Sequence, residues 1–233
     1  MAGTATPSYG TPNWEMITRW FELSPEQDGP FWALNLMKYR PVAEYADAEG
    51  PTVSGKDADD AYSPLAPLAA VGAMVAFHGD VLEQHSGSPN WDRIGVVRYP
   101  SRAAFFAMQQ RDDFKDQHVH KEAGMDFTIV MSCLPEAVET SRADGSDRLV
   151  LSVERGSDDR PLPEGIELVA DFTVEGVIVG DDRSFDRARF VRAADDDAVT
   201  AFVAAAGSAD EAHVMVVARA IDRLVPSITD APA

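Results

Sequence analysis

Trp91-Asp92-Arg93-Ile94-Gly95-Val96-Val97-Arg98 returns as Phe185-Asp186-Arg187-Ala188-Arg189-Phe190-Val191-Arg192, an offset of 94 residues (185 − 91 = 94). A repeat at this spacing inside a chain of 233 residues marks one small fold written twice. The helix start that follows keeps the same offset. Ser101 and Asp195, both good acceptors for the free amides of a first helical turn, occupy equivalent positions.

Working outward, Phe31–Tyr39 alternates as a mostly buried strand. Phe31, Ala33, Asn35, Met37 and Tyr39 fall on one face; Trp32, Leu34, Leu36 and Lys38 fall on the other. Ala73–Gln84, a Ser86–Asn90 turn and Trp91–Tyr99 read as a hairpin. A helix opened by Pro100-Ser101, a second over Asp113–Met125 and a strand over Phe127–Leu134 complete a β-α-β-β-α-β order. Its first helix, Asp57–Val71, carries Tyr62 and is bent or broken by Pro64 and Pro67. A lead-in helix spans Asn13–Leu23, and the loop Arg40–Lys56 is long enough for a lid or pocket wall.

The second copy runs through Arg148–Glu154, Ile166–Val179, Phe185–Ala193, Asp196–Ala206 and Val214–Ile221. Only Gly156–Gly165 stands in place of its first helix, so it reads as degenerate. The chain therefore divides into a tail and lead-in helix (1–28), a pocket-bearing unit (29–135), a linker (136–146), the degenerate unit (147–226) and a disordered tail (227–233). Met1–Pro12 is expected to be poorly ordered as well.

Composition narrows the function. A formal charge of −19, from 39 acidic against 20 basic residues, repels phosphate backbones and anionic headgroups, so no nucleic-acid or membrane partner is expected. The start lacks a secretory pattern and the single Cys133 forms no internal disulfide, which points to a cytoplasmic protein. No Gly-rich phosphate loop, His-Glu-x-x-His, Gly-x-Ser-x-Gly or Cys-x-x-Cys is present.

Asn35-Leu36-Met37-Lys38-Tyr39, Trp91-Asp92-Arg93 with Val96-Val97-Arg98-Tyr99-Pro100-Ser101-Arg102-Ala103-Ala104-Phe105, and His118-Val119-His120-Lys121-Glu122-Ala123 carry a likeness. Over roughly Gly29–Cys133 the chain resembles a family of small bacterial proteins within the dimeric α/β-barrel superfamily. The resemblance implies an α+β fold: two ferredoxin-like β-α-β-β-α-β units packed as an intramolecular dimeric α/β barrel, with a pocket between sheet and helices. The superfamily includes cofactor-free and haem-dependent monooxygenases, lactone isomerases, dehydratases and stress proteins, so it fixes no reaction. The tandem copy departs from the usual single unit and makes either a monomeric pseudo-dimer or a homodimer the expected assembly.

Asn35 sits among apolar neighbours, where an unpaired amide costs about 1–3 kcal/mol. It either orients a ligand or bonds nearby backbone. Met37, Tyr39 and Trp91 are the other expected ligand-lining residues, although the match of Trp91 with Phe185 also reads as hairpin-end packing. Tyr62 offers a phenol. His78, before Gly79, is a candidate acid or base or else part of a strand bulge. His118 and His120 complete the catalytic candidates. On a helix their i,i+2 spacing separates them by roughly 200°, so they share no metal, and one of them faces a ligand together with Lys121. Arg98, Arg192 and the two Asp-Arg pairs read as salt links holding the halves together.

Three functions compete. The first is an enzyme acting on a small, largely apolar organic molecule, aromatic or polyketide-like, by proton transfer or cofactor-free oxygenation. The second is a binding or stress-response module. The third is a haem protein with an axial histidine. No cofactor is expected under the first.

Overall fold

The alternation of Phe31–Tyr39 decides where each side chain goes, because one face of that strand is turned into a closed barrel and the other toward helices. The structure is a computed structural model describing residues 7–46, 50–138, 148–156, 160–207 and 211–229. In chain order the elements are β1 (Thr11–Pro12), α1 (Trp14–Phe21), β2 (Phe31–Tyr39), α2 (Gly55–Ala61), α3 (Leu65–Ala70), β3 (Met74–Ser86), β4 (Arg93–Tyr99), α4 (Arg102–Gln110), α5 (Asp112–Gly124), β5 (Met125–Val138), β6 (Arg148–Glu154), β7 (Ile166–Gly180), β8 (Arg187–Ala193), α6 (Asp196–Ala206), β9 (Ala212–Val217), β10 (Ile221–Asp222) and α7 (Leu224–Thr229).

The fold is α+β, with a closed antiparallel barrel running β7-β5-β2-β4-β3-β9-β6-β8 and back to β7. Residues 31–138 contribute β5-β2-β4-β3 and residues 148–217 contribute β9-β6-β8-β7. The two sets meet at β3–β9 and β5–β7, and the β7–β8 pairing inside the second set completes the ring. Side chains fill the barrel: Trp32, Leu34, Leu36, Phe77, Ile94 and Val96 from the first set meet Leu149, Leu151, Phe172, Phe190 and Met215 from the second. The apolar interior therefore leaves no aqueous channel. No helix among the described residues is long and apolar enough to cross a membrane.

Helices cover the outward faces. Around the first set, Phe31, Ala33, Tyr99, Leu68, Met108 and Phe114 form one core; around the second, α6 packs Val199 and Phe202 onto Val150 and Val191. Both helix caps behave as their residue types dictate: Ser101 Oγ accepts from Ala104 N (3.0 Å) and Asp195 Oδ1 accepts from Ala198 N (2.9 Å). The helix drawn over Asp57–Val71 is two helices, broken at Ser63-Pro64.

Both chain ends are more ordered than expected. Thr11–Pro12 pairs with β7, and Tyr9 is buried with its carbonyl accepting from Thr128 N at 2.9 Å. At the other end Ser227 is buried inside α7, accepting from Trp32 Nε1 at 3.0 Å, while Leu224 joins the barrel core. The expected disorder overlooked these few apolar and hydroxyl groups; residues 1–6 and 230–233 lie outside the described residues. The linker drawn at 136–146 begins inside β5, which runs to Val138, and its remainder also lies outside them.

The arginine links differ from expectation too. Arg93 pairs with Asp80, and Arg187 with Asp171, each between adjacent strands of its own half. Arg98 lies over the Trp32 ring at 5.6 Å and Arg192 pairs with Glu167 at 3.0 Å, again within their own halves. Polar links between the halves include Glu175 of β7, which accepts from Arg102 (2.8 Å) and Ser132 (2.7 Å), Arg148 with Glu83 (3.8 Å), and Trp91 donating to His213 (3.0 Å).

Two glycines set how closely α2 can approach α5. A Cβ on Gly55 would overlap the carbonyl oxygens of Gly124 and Arg40. Gly55→Ala is therefore expected to destabilise the protein by about 1–3 kcal/mol, read as a lowered urea midpoint. An unchanged midpoint would mean that the two helices separate freely.

Candidate functional site

Asn35 stands where four strands line up on the helix-facing side of the first set. Val130 of β5, Asn35 of β2, Gly95 of β4 and His78 of β3 are successive partners across the sheet. Asn35 is 9% exposed, and its amide donates to the carbonyls of Ala33 (3.0 Å) and Gly95 (3.5 Å). Those bonds account for Nδ2; among the described residues Oδ1 has no partner. Gly95 brings no side chain to this row. A Cβ there would crowd Met37 Cε at 3.3 Å and touch Asn35 Cβ at 4.0 Å, so the Met37 side chain lies over the position that Gly95 leaves bare.

Beside this row Tyr9 clusters with Met37, and around Tyr9 gather Tyr62, after α2, and His118 and Lys121, which share one face of α5 with Phe114. The His118 ring lies 5.1 Å from Phe114, 6.0 Å from Tyr9 and 6.2 Å from Tyr62. Its Nε2 is 3.1 Å from the Tyr9 hydroxyl, whereas its buried Nδ1 has no partner among the described residues. Burial, assisted by the neighbouring Lys121 charge, lowers the imidazole pKa to about 4, so the ring is neutral at neutral pH. The ammonium of Lys121 lies 5.8 Å from the Tyr9 ring centre and 5.7 Å from that of Tyr62. Burial lowers its pKa, against the opposing charges of Asp59 and Glu122. Burial raises the pKa values of Tyr9 and Tyr62, which keeps both phenols protonated.

Next to this cluster lies a saturated polar network. Tyr39 donates to Asp59 Oδ2 at 2.6 Å, Arg93 Nη1 donates to the same oxygen at 2.9 Å, and Arg93 Nε donates to Asp80 at 2.7 Å. Tyr39 thus holds the wall in place, its hydroxyl already committed. His78, at the far end of the row, is partly buried; burial first, and then the Arg93 charge, lowers its pKa.

The sequence candidates separate accordingly. Met37 clusters with Tyr9, the rings of Tyr9 and Tyr62 flank His118, and Asn35 and His78 stand in the strand row next to Met37. His120 points the other way, its Nδ1 2.9 Å from the Tyr45 hydroxyl, as the angular spacing on a helix requires. Trp91 belongs to the barrel core, where it stacks on Phe127 at 5.8 Å and donates to His213 Nδ1 at 3.0 Å. It is therefore no part of the Asn35 site, and its packing reading is the correct one. Sequence reasoning passed over Tyr9, Asp59, Gly95 and His213. Of these, Gly95 had a visible signal, because the repeat places Arg189 opposite it.

The second set fills its corresponding space. In the β6–β8 register Ser152 faces Arg189 and Glu154 faces Arg187, as Asn35 faces Gly95 and Met37 faces Arg93 in β2–β4. Arg189 Nη2 donates to Glu154 Oε1 at 2.6 Å, and its guanidinium lies 5.6 Å from the Phe202 ring. Two surface depressions, of about 430 Å³ and 200 Å³, lie elsewhere, beside Leu149 and Arg219, and neither borders Asn35.

No protein-family model and no curated protein matches the chain. Among solved structures it is similar to RPA0582, a protein of unknown function from Rhodopseudomonas palustris, with 24% identity and a TM-score of 0.48 over 56% of this chain and 98% of that one. It is also similar to a provisionally assigned monooxygenase from Lactobacillus acidophilus, with 12% identity and a TM-score of 0.40 over 82% of this chain and 94% of that one. A provisionally assigned chlorite dismutase gives 11% identity and a TM-score of 0.40 over 85% of this chain and 97% of that one.

Proposed function

We propose that the chain is a single-chain dimeric α/β barrel, two ferredoxin-like units of which only the first keeps a ligand site, and that this site is an enzyme's. The order β5-β2-β4-β3, matched by β9-β6-β8-β7, supports the two-unit reading, and the 94-residue offset (185 − 91 = 94) supports descent from one unit. Because one chain closes its own barrel, a monomer suffices, and a small-molecule ligand is the partner.

One observation carries the functional reading: among the described residues His118 Nδ1 is buried with no partner, in a cluster with Tyr9 and Tyr62 that reaches the Asn35–Gly95 row through Met37, while Arg189 and Glu154 fill the equivalent place in the other unit. An unmet ring nitrogen costs stability and is retained where a ligand meets it. The reaction that suits these groups is proton transfer on a small, largely apolar organic molecule. Neutral His118 takes the proton, the Tyr62 phenol donates to the oxygen on which charge develops, and Asn35 orients the molecule. Removing such a proton is also the opening step of cofactor-free oxygenation.

Haem does not suit this arrangement. With Nε2 engaged by Tyr9, iron would have to bind His118 at the buried Nδ1, and the rings of Phe114, Tyr9 and Tyr62 crowd a macrocycle around that imidazole.

Native mass spectrometry of the purified chain would identify the retained molecule, and exchange of its acidic C–H hydrogens with solvent deuterium would then report the chemistry. His118→Gln is expected to slow that exchange by about 10²–10⁴-fold. Exchange at the wild-type rate in this variant would remove the imidazole mechanism.

A further inference from the structure

The chain has four lysines, and three hold a carboxylate: Lys38 to Asp92 at 3.0 Å, Lys56 to Asp80 at 3.1 Å and Lys115 to Asp112 at 3.4 Å. Lys121 is the exception. Among the described residues its Nζ has neither a carboxylate nor a hydrogen-bond acceptor, and it rests between the faces of Tyr9 and Tyr62. In a chain with 39 acidic residues, Lys121 is paired with none among the described residues, and Asp59 and Glu122 act on it only from beyond ion-pair distance. The side chain is half-buried, and ring faces replace the lost part of the ammonium's hydration only incompletely, so the neutral amine gains weight here while Nζ stays within reach of a ligand, and a neutral amine is a nucleophile.

We propose that Lys121 captures the carbonyl carbon of a small aldehyde or ketone as an imine, which names the substrate class of the site described above and rests on that site's taking a small organic molecule. The Nζ lone pair forms the C–N bond as the carbonyl π pair moves to oxygen. That oxygen then departs as water, taking both hydrogens of the amine, and a C=N bond remains. The neighbouring phenols of Tyr9 and Tyr62, held protonated, supply the hydrogen bond and proton that the departing oxygen needs. Water adding back across C=N releases the carbonyl compound, so no oxidant or reductant enters. An imine also acidifies the adjacent C–H, which is the proton that His118 is placed to take.

The test uses the full chain, benzaldehyde as probe and cyanoborohydride to trap imines at pH 7, followed by peptide mass mapping. Lys121 is expected to gain the N-benzyl adduct measurably faster than Lys38, Lys56 and Lys115, since it is the lysine without a carboxylate partner among the described residues and a lowered amine pKa raises the reactive neutral fraction. Lys121→Arg should lose that adduct and leave labelling of the other three unchanged, with an unaltered far-ultraviolet spectrum showing that it folds. Labelling of Lys121 no faster than of the other three overturns the imine. Because trapping needs no turnover, a missing adduct with deuterium exchange intact would leave proton transfer by His118 standing. A Lys121 adduct in a wild-type chain that exchanges no proton would instead retain the imine and remove the His118 reading.

Discussion

Glu154→Ala is expected to destabilise the protein by about 3–5 kcal/mol, because it strands a buried guanidinium. Glu154 is 2% exposed and Arg189 4%, and the carboxylate also accepts from Ser152 and, at 3.2 Å, from Arg160. Once it is removed, the partner left to Arg189 among the described residues is the Phe202 ring face. Urea titration at pH 7 checks this, with Glu154→Gln as the control that preserves shape and hydrogen bonding while discarding the charge; it should fall between wild type and Glu154→Ala. A loss below about 1 kcal/mol in Glu154→Ala, the range of an exposed ion pair, would mean that water reaches Arg189. The pair then would not be the solid filling that distinguishes the second unit from the first.

Acid is expected to weaken the fold across a defined window. His213 is 4% exposed, accepts from Trp91 Nε1 through Nδ1 and contacts Phe185 edge-on at 5.3 Å. Burial, reinforced by Arg183 and opposed by Asp181, lowers its pKa from 6.5 to about 4. The unfolded chain therefore binds a proton below pH 6.5 that the folded chain refuses until about pH 4. The stability held above 6.5 is lost as the pH falls through that interval, by up to about 3 kcal/mol for a group so enclosed. His118 contributes in the same direction and the same window. Urea midpoints measured from pH 7.5 to 4 should show the decline, and His213→Gln should flatten its His213 share. A profile of equal slope in that variant would assign the acid sensitivity to carboxylates instead.

Much of the architecture was legible because the determinants are local. β2 and β6 run as the alternation of their residues dictates, Ser101 and Asp195 cap where their hydroxyl and carboxylate permit, and Pro64 divides α2 from α3. The termini were misread because Tyr9 and Ser227 are single residues in unpatterned surroundings, whose burial depends on distant partners, Thr128 and Trp32, that periodicity does not report. The site was half legible. Asn35 and His118 announced themselves by residue type, and the helical angle correctly parted His118 from His120. Trp91 misled because an indole suits a ligand wall and a core equally well; only its bond to His213, a residue 122 positions away, decides between them. Gly95 was overlooked although it lay within the repeat itself, because the absence of a side chain gains meaning only once Arg189 is seen to fill the matching place.

The joining of β3 to β9 and of β5 to β7 bears on how the molecule is made. As the polypeptide leaves the ribosome, residues 31–138 can pair among themselves, yet both outer strands of that half-ring have their partners downstream. Until Ile166–Gly180 and Ala212–Val217 emerge, two unsatisfied backbone margins and one side of an apolar wall face water or any neighbouring nascent copy. Swapping of halves between two chains is the natural error of such a design, and slowing translation near residue 140 should raise its yield.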